Sequence, residues 1–259
     1  MLATFRLAVR LRLVTTLATT AGMILVILMV GALFPSVGDS IGKLDVPEGV
    51  AELLGGADYG TLLGWMRSEI GAVYGPLVIA AVAIVSAVGS TAGEEEQGIL
   101  GLTLSHPIER SHLILAKAAA VLAMVLVIAA GTFAGLVAGV ALGGGGVSTG
   151  HLGALSLHLA LFGCAIGALA LALAAVTGRR TLASGGAAGF AILAFLVNGF
   201  APLVDGISWL KYLSPFYYYA GNDPIGHGVD AAHLAVLLAA SVVLTVIAVV
   251  GFTRRDLRK

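Results

Sequence analysis

From Ala118 to Gly178 the chain runs without a single Asp, Glu, Lys or Arg. A soluble fold cannot hide so long an apolar stretch. Two membrane-crossing helices joined by a tight turn can, since each crossing of the hydrocarbon core takes about 20 residues. The break inside the run is legible at Gly143-Gly144-Gly145-Gly146, because consecutive glycines are poor helix formers. The remainder of the 259 residues is of the same kind: 59% are hydrophobic and 11% charged, against about a quarter charged in soluble domains. The chain therefore reads as an all-α, polytopic integral membrane protein.

Charge and proline divide it into six spans within a single transmembrane domain over residues 1–259. Leu13 to Gly38 is free of formal charge and holds a first span at about 16–35, ended by Pro35. Residues 36–71 bring acidic and basic residues with glycines and Pro47, and read as a water-exposed loop. The second span follows at about 72–92, the third at about 115–141 and the fourth at about 154–177. Gly178-Arg179-Arg180 is a short basic loop before a fifth span at about 182–203, and a sixth lies at about 232–252. Ahead of the first span, Arg6, Arg10 and Arg12 alternate with leucines, the pattern of an N-terminal interfacial helix. Ahead of the last, the aromatic, proline-bearing stretch 209–219 reads as a short re-entrant segment.

Positive charge orients these spans. With both termini cytoplasmic, Arg6, Arg10, Arg12, Arg110, Lys117, Arg179, Arg180, Arg254, Arg255, Arg258 and Lys259 lie inside, and only Lys43, Arg67 and Lys211 lie outside. Basic residues favour the inner face of a membrane, so this topology is preferred over its reverse. It also puts the tyrosines and Trp209 at the outer interface, where such rings are favoured.

One polar segment interrupts the middle of the chain: Gly93 to Lys117, GEEEQGILGLTLSHPIERSHLILAK. A charged hairpin between spans two and three is well placed to receive a push from a partner. Glutamates at the start of a helix would complement its dipole and offer acceptors to the partner's basic groups. Arg110 is placed to pair with one of them or with lipid phosphate.

Little in the chain suggests covalent chemistry. No glycine-rich loop with a following Lys-Ser/Thr is present to cradle phosphates, so ATP would be handled by another polypeptide. No span needs a charged residue in its middle, which argues against an ion-coupled secondary carrier. Glu94, Glu95 and Glu96 with His106 and His112 are raw material for an intramembrane metal-dependent protease, but the His-Glu-x-x-His pattern is missing. His151 and His158 share a helical face and read as satisfied core histidines. Ser184 lacks a nucleophile context. Cys164 is the one cysteine, so neither an internal disulfide nor a cysteine metal cluster can form. Asn198, inside the fifth span, reads as a helix–helix hydrogen-bonding residue that could also line a path. The formal net charge of zero gives no case for nucleic acid.

The hairpin resembles the cytoplasmic segment of bacterial ATP-binding-cassette permeases of the type-2 exporter class. The residues that carry the likeness are Glu94, Glu95, Glu96, Gly98, Leu100, Leu102, Leu104, Ser105, Pro107, Ile108, Arg110 and Lys117, with Ile99 where the family often has Thr. Leu213-Ser214-Pro215-Phe216-Tyr217-Tyr218-Tyr219 with Asn222-Asp223-Pro224 is similar to the family's outer segment before the last span. The resemblance implies a permease without a catalytic site of its own, in the bacterial cytoplasmic membrane. It implies a homodimer of membrane subunits and two copies of an ATPase subunit that binds ATP and Mg. It further implies coupling through Glu94, Glu95, Glu96, Gly98, Leu102, Pro107, Arg110 and Lys117. A hydrophobic or amphiphilic cargo would move along the second and fifth spans, with Asn198 on its path. No metal or cofactor is expected on this chain itself.

Overall fold

A computed structural model describes residues 2–41, 59–105 and 108–255. Six helices in it are long and apolar enough to cross a membrane: α1 (Leu2–Ile41), α2 (Leu62–Glu96), α4 (Arg110–Leu142), α5 (Thr149–Thr177), α6 (Arg180–Phe200) and α9 (Ala231–Arg254). The short α3 (Ile99–Leu104) joins α2 to α4. Two further short helices, α7 (Pro215–Ala220) and α8 (Pro224–His227), precede α9. No strand occurs among the described residues. Helices are what hydrocarbon permits, because every backbone donor and acceptor must find its partner within the segment. Hydroxyls inside the spans obey the same demand: Thr132 Oγ1 bonds back to Ile128 O over 2.9 Å and Ser156 Oγ to Leu152 O over 3.0 Å.

α5 is the hub. Of its most apolar window, 72% is buried inside the bundle, compared with 11% for α9, and it packs against α2, α4, α6 and α9. Its small residues let the neighbours come close: a Cβ on Gly163 would stand 2.9 Å from Ile79, and one on Gly167 would stand 3.0 Å from Val121. α1 lies mainly on α4 through a second set of glycines. Gly131, Gly135 and Gly139 recur every four residues on one face of α4, and Thr20, Ile24 and Ile27 sit directly on them. At the end of α4 the chain reverses through Gly144, Gly145 and Gly146, with φ of 106°, 79° and 93° that only glycine adopts freely.

Several boundaries move relative to the sequence reading. Residues 2–16 are helical but form no separate element; they continue into the first span as one 40-residue helix that passes through Pro35. Pro35 lacks only the N–H that would bond Gly31 O and sits near the helix end; one residue before that carbonyl, Val30 O accepts from Trp65 Nε1 over 3.2 Å. The second span begins at Leu62, so Arg67 and Glu69 belong to a helix and not to a loop. The segment before α9 does fold back into the bundle. Phe216 and Tyr219 are buried, and Phe216 packs 4.7 Å from the ring of Phe162 on α5 and 5.4 Å from that of Phe195 on α6.

The α1–α4 contact generates a prediction. A Cβ on Gly139 would stand 2.8 Å from Ile27 O, so Gly139→Val must push the two helices apart, whereas Gly22 has open space beside it. Gly139→Val is expected to cost about 1–3 kcal/mol, the range for overpacking. Gly22→Ala should not lower the thermal unfolding midpoint in detergent, since alanine is the better helix former and meets nothing there.

Candidate functional site

The six spans alternate in direction, so α1, α4 and α6 begin at the end of the bundle where α2, α5 and α9 finish. This charged end collects the conspicuous polar residues. Three consecutive glutamates close α2 there. They do not open a helix, as the sequence reading had it, and near a helix C-terminus their charge opposes the dipole. Cations from other helices supply the compensation.

Each glutamate reaches a different element. Glu94 Oε2 accepts from Lys117 Nζ of α4 over 2.6 Å, and the same ammonium donates to Ser90 O of α2. Glu95 is held by both terminal nitrogens of Arg255, just past the end of α9, with Nη1 to Oε1 at 3.0 Å and Nη2 to Oε2. Arg255 also donates from Nε to Ala175 O at the end of α5, 3.0 Å away, and its own carbonyl accepts from Arg110 Nη1 of α4 at 2.8 Å. Glu96 Oε1 accepts the backbone N–H of Arg180, the first residue of α6, over 2.9 Å. There the carboxylate does meet a helix N-terminus, but that of α6. From α1, Arg12 Nη2 donates to Ser86 O at 3.3 Å.

Burial ranks these links. The Glu95 side chain is 2% exposed and that of Lys117 4% exposed, so neither charge could be kept without its partner. The paired Arg–carboxylate fork is also the geometrically specific form of such a contact. The end of α2 is thus bolted to α4, α6 and the segment that follows α9.

Beyond the bolts the hairpin projects. Gly98, at φ 73°, turns the chain out of α2 with its N–H bonded to Glu95 O at 3.0 Å. On α3, Leu102 is 72% exposed and Ile99 44% exposed, while Leu100 turns inward and is buried. Pro107 and His106 lie outside the described residues. Arg110 Nη1 donates to the carbonyl of Arg255, and among the described residues it makes no ion pair with a glutamate. Asn198 stands apart from the cluster, half-buried near the far end of α6. Sequence reasoning missed Arg255, whose place in a basic tail offered only a topological signal, and the backbone groups of Ser90 and Arg180, for which no sequence signal exists.

The far end is sealed by different chemistry. Arg67 of α2 pairs with Asp223, which takes a left-handed conformation at φ 48° and caps α8 through Gly226 N at 3.2 Å. Tyr219 Oη donates to Gly71 O of α2 at 2.7 Å, and His151 Nδ1 lies 3.2 Å from Ile225 O. His158 Nδ1 bonds to Ala154 O at 3.0 Å, and His112 lies 3.3 Å from Glu109 on the surface. Among the described residues no three His, Cys, Asp or Glu side chains gather as metal ligands would. Ser184 Oγ bonds back to Arg180 O at 2.9 Å. Between α2 and α6 lies an apolar cleft of about 190 Å³, lined by Ala72, Val73, Pro76, Leu77, Ala80, Ala191, Ile192, Phe195 and Phe216.

Six apolar spans with a bolted charged end and a projecting hairpin define a multi-pass membrane protein of the permease kind. The family model described as ABC-2 family transporter protein matches residues 5–257, and the chain belongs to that family. It is accordingly a membrane subunit of an ATP-binding-cassette transporter, a class of transport component that associates with an ATP-binding subunit. Comparison with curated proteins finds no match.

Two expectations follow. Glu95→Ala leaves Arg255 without its carboxylate in a largely buried place and should cost about 3 kcal/mol, the scale for breaking a buried pair. Glu96→Ala, at an exposed position, should cost less than about 1 kcal/mol; chemical unfolding of the two variants gives the comparison. At the far end, Asp230 caps α9 by accepting from His233 N at 3.0 Å and Ala232 N at 2.9 Å, and the His233 N–H is the main cause holding its carboxyl below the ordinary carboxylate value. A depressed folded value stabilises above the unfolded pKa and loses that stabilisation as the pH falls through the folded one. Asp230→Asn should therefore lose that contribution near neutrality, change little in strong acid, and so flatten the acid limb of the stability profile below about pH 4.

Proposed function

We propose that this chain is the membrane-spanning subunit of an ATP-driven exporter that moves a hydrophobic or amphiphilic cargo across the bacterial cytoplasmic membrane. Residues 1–259 form one transmembrane domain, both termini face the cytoplasm, and two copies pair as a homodimer. Two copies of a separate ATPase subunit bind ATP and Mg and dock below. The chain supplies no catalytic residue. The positive charge collected at one end of the bundle supports this orientation.

The observation that carries the reading is the division of labour at the charged end. Leu102 and Ile99 are offered outward on α3, while Glu94, Glu95 and Glu96 are spent inward on α4, the segment after α9, and α6. A partner that grips α3 and moves it pulls on α2 directly and on three other helices through the glutamates. Gly98 turns the chain out of α2, Lys117 ties the end of α2 to α4, and Arg110 ties the start of α4 to Arg255. Leu102 is thus a docking residue, and the glutamates are transmitters that need not touch the ATPase. The apolar cleft between α2 and α6 suits an uncharged cargo surface, and Asn198 lies further along α6 on the same proposed path.

Docking and transmission separate in one experiment. Co-expression with the ATPase encoded beside the chain should yield a complex that survives purification in detergent. Leu102→Asp should reduce recovery of the ATPase about ten-fold or more. Glu95→Gln should leave recovery intact while cargo-stimulated ATP hydrolysis falls by a similar factor. Failure of the wild-type chain to retain any ATPase would overturn the reading.

A further inference from the structure

Helix α2 leaves α-helical register twice, in π turns at Arg67–Tyr74 and Gly89–Gly93. A π turn holds one residue more than the α turn it replaces, and such insertions recur at functional positions. Here both are met by a donor from another element. Tyr219 Oη of α7 donates to Gly71 O in the first, and Lys117 Nζ of α4 donates to Ser90 O in the second. The Tyr219 ring is fully buried and lies 5.2 Å from that of Phe162, so packing aims its hydroxyl at α2. Glycine also recurs at both turns, at Gly71 and Gly75 and again at Gly89 and Gly93. At Gly75 the geometry demands it, because a Cβ would stand 2.5 Å from Ile70 O.

Between the two turns, Gly75–Val88 is uninterrupted α-helix. The ends of α2 are held: Trp65 and Arg67 bond to Val30 and Asp223 at one, and the three glutamates are bolted at the other. With fixed ends, the surplus residue of one π turn can leave only by passing along the helix to the other. Each residue so passed turns the intervening segment by about 100° and shifts it by about 1.5 Å. That segment carries Pro76, Leu77 and Ala80 into the cleft facing α6, and Phe216, three residues from Tyr219, lines the same cleft.

We propose that α2 is a register switch: the bonds of Tyr219 to Gly71 O and of Lys117 to Ser90 O latch the register described above, and Gly75–Val88 turns as a unit when those two bonds release while Lys117 keeps Glu94, reshaping the apolar cleft. Tyr219 is a positioning residue in this scheme, acting on the cleft through Gly71 without touching cargo. The cleft's place on the cargo path rests on the function proposed above. The switch is a property of the chain alone and can fail or hold without an ATPase present.

Hydrogen exchange followed by mass spectrometry on the full chain in lipid nanodiscs tests the coupling between the two turns. Tyr219→Phe keeps the ring and removes only the donor. It should speed exchange about three- to five-fold, the worth of one such hydrogen bond, in residues 67–75 and also in residues 89–96 at the opposite end of α2. Tyr218→Phe, whose hydroxyl bonds to Tyr212 O at the surface, is the control and should change neither segment. Acceleration confined to 67–75, or none, overturns the switch. Should exchange also rise throughout α5, the substitution has loosened the bundle, and Gly75→Ala decides with Tyr219 intact. It blocks the first π turn and should speed exchange at 89–96; wild-type rates there would overturn the proposal.

Discussion

A carboxylate that is almost wholly shielded, at the end of a helix whose dipole repels it, cannot persist without a cation fixed beside it. Glu95 is in that position and Arg255 is the cation. The requirement constrains far more than two side chains. To reach Glu95, Arg255 must hang from the end of α9, and its guanidinium must also find Ala175 O at the end of α5. Its carbonyl then takes Arg110 from the start of α4. One buried charge thereby sets the relative height of four helices. Glu94 and Glu96 repeat the device on either side with Lys117 and the first N–H of α6.

This arrangement explains how an apolar bundle can be stiff at one end and adjustable along its length. Apolar side chains in hydrocarbon gain little from touching one another in preference to lipid, so packing of small residues and a few polar bonds hold the helices together. Around α5 and along the α1–α4 contact, glycines bring backbones close and leave little room for change. α2 is different. It holds two π turns, and each is met by a donor borrowed from α4 or α7. A movement applied at the hairpin enters the bundle through that helix.

The two ends of the bundle use unlike chemistry for the same task. The charged end relies on ion pairs and helix termini, with Lys117 and Arg255 on two of the glutamates and the N-terminus of α6 on the third. The opposite end relies on aromatic packing, with Phe162, Phe216, Phe195 and Tyr219 in contact, and on the ion pair of Arg67 with Asp223. The stretch that reads in sequence as a short re-entrant segment forms a plug, because Ser214 and Pro215 start a helix that drives Phe216 and Tyr219 inward. Ser214 Oγ both accepts from Phe216 N at 3.2 Å and donates to Ala194 O of α6 at 2.8 Å.

The sequence by itself determined the class, the number of spans and the hairpin between the second and third. Hydrocarbon imposes a length and a near-absence of charge on each crossing, and both are properties of a linear string. The turn at Gly143–Gly146 was legible for the same reason: consecutive glycines are unfavourable in a helix whatever surrounds them. The partners of the glutamates were not legible. Arg255 and Arg180 lie far from Glu95 and Glu96 in the chain, and one of the acceptors and one of the donors are backbone groups carried by every residue type. Pro35 inside α1 and the early start of α2 at Leu62 were hidden as well, because local propensity marks both places as breaks and only neighbouring helices make them tolerable. Tertiary structure alone decided that the acidic triplet closes a helix, that its charges turn inward, and that Leu102 is left facing out, since each outcome depends on which distant groups arrive within bonding distance.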